Sequence, residues 1–122
     1  MIDRSNNPGV IAQAVAFGVA GVAGVARLSP GAAVEAATYF AGGKTIGVVV
    51  RRDEVVVHVV VSELPLVQVT ERVRKAAQRV LRALAAERPV EVVVEDLELE
   101  QLPTIRSSTV LPPLQSRTVR VR

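Results

Sequence analysis

Few residues of this 122-residue chain have the types and spacing for chemistry. His58, its one histidine, is a possible base or ligand, but neither a Ser/His/Asp pattern nor a second histidine accompanies it. Without a positioned partner it reads as a histidine on a strand face. Glu91, Glu95, Asp96, Glu98 and Glu100 could hold a divalent cation. Strand alternation scatters them over two faces, so they read as a solvated strand edge. Gly42-Gly43-Lys44-Thr45 matches the end of a phosphate-binding loop, yet Thr38 stands where its first glycine belongs and a strand follows. Gly21-Val22-Ala23-Gly24 has the bare GXXG pattern that clamps a nucleic-acid backbone, but its apolar centre favours a helix-to-strand bend. Arg72, Lys75, Arg79 and Arg82 recur on one helical face, where they could meet phosphate or lipid headgroups. The ordinary outcome for such a stripe is a solvated surface. With no cysteine there is neither a disulfide nor a thiolate metal site. No catalytic, cofactor or metal residues are expected.

The elements around these residues are organised by the valine-rich stretch from Lys44 to Val61. Branched side chains crowd a helix but suit a pleated sheet, so two runs broken at Arg52-Asp53 predict a β-hairpin. Parity puts Ile46, Val48 and Val50 on one face, and Val55, Val57, Val59 and Val61 form a second wholly apolar set. Upstream, Asn6 or Asn7 can cap a helix opening at Pro8 and running to about Val19. Val25-Ala26-Arg27-Leu28 then predicts a short strand, and residues 32–43, with Tyr39 and Phe40, a connection of irregular form. After the hairpin, Val69, Val73, Ala76, Ala77, Val80 and Leu84 recur at helical spacing over residues 66–87. Pro89 stops that helix, and Val90–Glu95 alternates as a last strand with its acids outward. The expected fold is α+β in the order helix, strand, hairpin, helix, strand, with a mostly antiparallel sheet and helices on one face.

One domain is expected over residues 1–102. Residues 103–122 form a basic, proline-containing tail with Arg106, Arg117, Arg120 and Arg122 and no acid. The net charge of +3 therefore resides in the tail, and the remainder is nearly neutral. Thr118–Arg122 alternates like a strand, although the tail is expected to be dispensable for the fold and used in association. The uncharged segment Val10–Ala26 is rich in alanine and glycine, is interrupted by Gln13 and lacks a positive leader, which favours a buried helix over a membrane span.

The helix leading into Val22–Leu28, the valine hairpin 44–61, the helix 66–87 and the strand Val90–Leu97 together resemble the alkaline shock protein family of bacterial envelope stress proteins. The resemblance lies in order and spacing over about residues 8–99. It implies a small cytoplasmic protein without known enzymatic activity; some members are held at the membrane by a separate anchor protein and can self-assemble. The assembly surface expected here is an open sheet face on which Val49, Val56, Val60 and Val93 lie among Arg51, Glu54, His58, Glu91 and Glu95. The alternative is a nucleic-acid-binding domain, KH-like or ribosome-associated, in which Arg72, Lys75, Arg79, Arg82 and the tail meet phosphate. The scarcity of aromatic residues on the expected strands disfavours a base-stacking platform.

Overall fold

The computed structural model describes residues 7–99 and 119–121. Helix α1 spans Pro8–Ala20 and opens on Asn7, whose Oδ1 accepts from the amides of Gly9 at 2.9 Å and Val10 at 3.2 Å. This side-chain cap satisfies donors that the first turn would otherwise leave unpaired. Ile11, Ala12, Val15 and Val19 form its buried stripe. Helix α2, Leu66–Ala83, buries Val69, Val73, Ala76, Ala77 and Leu81 at the same three-and-four spacing.

The described residues also form seven strands: β1 Val25–Leu28, β2 Ala37–Phe40, β3 Gly43–Ile46, β4 Val48–Val50, β5 Val55–Val61, β6 Val90–Leu97 and β7 Val119–Val121. Strand β5 is the axis of a five-stranded sheet. On one side β4 and β1 lie end to end against it, both antiparallel, with Val48 opposite Val57 and Leu28 opposite Val59. On the other side β6 runs parallel to β5, with Val55 opposite Val90. A parallel neighbour requires a crossover, and α2 supplies it by passing over the sheet between β5 and β6. Strand β7 then pairs antiparallel with β6, Val92 opposite Val121. The architecture is thus α+β, with most pairings antiparallel.

Both helices pack on one sheet face. There Val55, Val57, Val59 and Val61 are fully buried together with Val48, Val92 and the helix stripes. Each such valine is worth roughly 1.5 to 3 kcal/mol against exposure, which makes this the stabilising layer.

Four expectations are corrected. First, the valine hairpin is shorter than residues 44–61 suggested, because Gly47 breaks the first run. Its φ of +88° suits glycine, and a Cβ there would lie 2.7 Å from Leu28 Cβ. The amide of Gly47 donates to Ala36 at 2.7 Å while its carbonyl accepts from His58 at 2.7 Å. The chain thereby passes from a separate two-stranded sheet, β2 with β3, into the main one. Second, residues 32–43 contain strand β2, so Tyr39 and Phe40 do lie on a strand. Third, α2 ends at Ala83, short of Pro89: Ala85 adopts φ +55°, and the amide of Ala86 returns to the Leu81 carbonyl at 2.9 Å. Fourth, the end of the tail joins the sheet as β7. A boundary at residue 102 cuts off one of the sheet's own strands. The rest of the tail lies outside the described residues.

Candidate interaction surface

The residues picked out from the sequence fall on two opposite sides of the molecule. Val49, Val56, His58, Val60 and Val93 lie on the sheet face turned away from the helices, whereas Arg72, Lys75, Arg79 and Arg82 line the outer side of α2.

The sheet face is not the open surface expected. Val93, Val56 and Val60 are buried, Glu91 is only 3% and Glu95 6% exposed, and Val49 is half-buried. Charged residues on a strand normally mark its solvated side, but these acids are partnered inside. In the register of β5 with β6, Val59 faces Val94 and Val60 faces Asp96, leaving Glu95 as the extra residue of a bulge. That residue brings Oε2 to 2.7 Å from Nδ1 of His58. His58 also has both backbone groups engaged, with Gly47 and Ser29. The geometry is that of a satisfied buried pair. No group of three His, Cys, Asp or Glu side chains positioned to hold a metal ion occurs among the described residues.

The two motif-like stretches are equally structural. Gly42 turns the chain between β2 and β3 at φ +92°, and Gly43 pairs with Phe40 in the ladder. Lys44 meets Glu35 at 2.5 Å and stands 5.6 Å from the Tyr39 ring centre. The Tyr39 hydroxyl donates to the same carboxylate. Hydrogen bonds from Lys44 and then Tyr39 pull the Glu35 carboxyl below its ordinary range, and the bond to Glu35 pushes the Tyr39 phenol up. At residues 21–24 the chain bends from α1 into β1, and the Gly24 carbonyl accepts from Ser62 at 2.8 Å.

The helix layer is different, because its outer side is open. On α1, Phe17 lies about 200° around the helix from Val15, given 3.6 residues per turn, and so points away from the sheet. It is 86% exposed. Val10 and Ala14 beside it are partly exposed, and no charged residue occurs anywhere in α1. The two helices meet closely at Gly18, where an added Cβ would lie 3.0 Å from Val80 Cγ2. Phe17 and Arg79, the chain neighbours of that contact, are both exposed.

Along α2 the basic stripe is unevenly neutralised. Arg72 donates to Glu63 and to the Ala23 carbonyl, both at 3.0 Å, and Arg82 lies 3.6 Å from Glu87. Arg74, more buried, pairs with Glu71 while its Nε and Nη2 are unsatisfied. Lys75 and Arg79 are exposed and make no ion pair with the described residues. Neither chain, profile nor fold comparison adds to this picture. No protein-family model, no curated protein and no solved structure matches the chain.

Two features were missed at the level of sequence. Phe17 could have been found from helical phase, since it lies opposite Ile11, Val15 and Val19. The second is a cleft of about 290 Å³ beside Pro8 and Ile11, lined also by Val50, Arg51, Arg52 and Arg88. Arg88 is held there by bonds to the carbonyls of Ala86 at 3.0 Å and Arg51 at 2.7 Å. Nothing local in the sequence joins residues 51 and 88; the parallel placement of β6 brings them together.

Proposed function

We propose that this chain is a non-enzymatic association module of the bacterial envelope or general stress response, working at the cytoplasmic face of the membrane with itself and a membrane-anchor protein as partners. The order and spacing of its elements resemble the alkaline shock protein family, and that resemblance motivates the biological setting. The observation carrying the interaction role is Phe17, a large aromatic side chain 86% exposed on a helix without charge. A side chain of that size held in water is a feature of contact surfaces. With the far sheet face buried, the contact surface is assigned to the outer side of the helices, and contacts between copies to the outer edge of β7. Among the described residues no strand covers that edge. No helix among the described residues is long and apolar enough to cross a membrane, so attachment would be peripheral.

Cell fractionation with the chain and with Phe17→Ser tests this reading. Membrane recovery that depends on Phe17 is the expected result. An entirely soluble distribution, together with a monomer at high concentration in sedimentation, would remove the proposal.

Lys75 and Arg79 support a second reading, nucleic-acid binding, because they are exposed and unpaired among the described residues. Phosphate-driven binding would weaken steeply with salt and would be lost on reversing both charges, while Phe17→Ser would leave it intact.

A further inference from the structure

The helix layer joins two surface chemistries. Helix α1 contributes an uncharged strip, Val10, Ala14 and the projecting Phe17, and α2 contributes exposed cations next to it. The acids on this side are already matched: Glu63 by Arg72, Glu71 by Arg74 and Glu87 by Arg82. Lys75 and Arg79 are the surplus. Basic neighbours also stand at both ends of α1, Arg72 at the Ala23 carbonyl and Arg51, Arg52 and Arg88 around the cleft beside Pro8.

Building on the membrane-proximal reading above, we propose that this surface binds an anionic lipid bilayer directly, with Phe17 entering the headgroup boundary and Lys75 and Arg79 facing lipid phosphates. An interfacial helix needs an apolar side and cations near it, because one weak signal alone gives only marginal attachment. Charge decides against the other occupants. A second copy docked helix layer to helix layer would bring together two surfaces that each carry the surplus positive charge of Lys75 and Arg79. A nucleic acid would engage the cations but would leave Phe17 and the uncharged strip against phosphate, where they contribute nothing. A fluid bilayer offers anions and an apolar layer side by side.

Flotation of the full chain with purified vesicles tests the proposal, using phosphatidylglycerol mixed into phosphatidylcholine against phosphatidylcholine alone. Binding should require the anionic lipid, weaken as salt rises, and fall about fivefold for each charge removed in Lys75→Gln and Arg79→Gln. Phe17→Ser should also abolish most of it. Because Phe17 makes little packing contact, an unchanged thermal midpoint will show that the variant is folded. Equal binding to neutral vesicles, no binding at all, or binding indifferent to Phe17→Ser would each overturn the proposal. Displacement by a single-stranded RNA with Phe17 irrelevant would assign the cations to nucleic acid. Should purified vesicles fail while cell membranes still retain the chain through Phe17, the association role stands and its occupant is a membrane protein.

Discussion

Nδ1 of His58 lies 2.7 Å from Oε2 of Glu95, on the sheet face turned away from both helices. The pair is what allows a carboxylate to sit on a buried strand, and it depends on the bulge that makes Glu95 the extra residue of β6. Removing one member strands the other. His58→Ala and Glu95→Ala should each cost about 1 to 3 kcal/mol, with Glu95→Ala the larger because that carboxylate has a further interaction. Urea denaturation of both single variants and the double variant checks this: the double should cost less than the two singles added. Strict additivity would show that the two side chains are not coupled.

Val56 and Val60 lie on the same buried face. Val60 stands opposite Asp96, so Val60→Glu sets a buried charge against a like one and should destabilise by about 3 kcal/mol or more, whereas Val56→Lys places its ammonium opposite Glu91 and should cost less. Thermal melting followed by circular dichroism is the measurement. Native-like melting with altered oligomer size would instead mean that the face is open.

The chain has one tyrosine and no tryptophan, so phenolate absorbance reports Tyr39 alone. Its bond to Glu35 raises the phenol, and the sign follows: stability from this bond is complete below the ordinary phenol range and is lost as pH rises through the elevated value. Glu35 runs the other way, its contribution being present above the usual carboxylate range and lost as pH falls. An alkaline titration should therefore show a midpoint above that of free tyrosine. Glu35→Gln should bring it down.

Ala85 holds a left-handed backbone, φ +55°, where α2 gives way to the connection with β6. A Cβ makes that conformation costly by about 1 kcal/mol, which glycine avoids. Ala85→Gly should raise the denaturant midpoint without changing the slope. A lowered midpoint would show that the flexibility gained in the unfolded chain outweighs the relief of strain.

The helices and the core strands were legible because each follows one simple period. Asn7 and Pro8 mark the start of α1, and Val69, Val73 and Ala77 mark one face of α2; both faces are buried as read. The alternating valines of β5 likewise identified the core. What failed was local inference about global surroundings. Gly47 sits inside a run of β-forming residues, and only the collision with Leu28 and its positive φ show that the run serves two sheets. Glu91 and Glu95 signalled solvent because the composition of a strand cannot reveal that both its faces are covered. Of the site residues, the cations on α2 were visible from their spacing, whereas the arginines around Pro8 come together only through the crossover.

The hairpin of β2 and β3 has one more effect. Oγ1 of Thr38 donates to the Val48 carbonyl at 2.6 Å and accepts from the Val50 amide at 3.1 Å. A single hydroxyl thus occupies one acceptor and one donor on the outer edge of β4, where an incoming strand would pair. Only the four residues of β1 continue that margin, too short a template for a lasting ladder. Endless strand-by-strand polymerisation requires two receptive margins per subunit. With Thr38 seated on the β4 edge, addition through β7 would close at a pair.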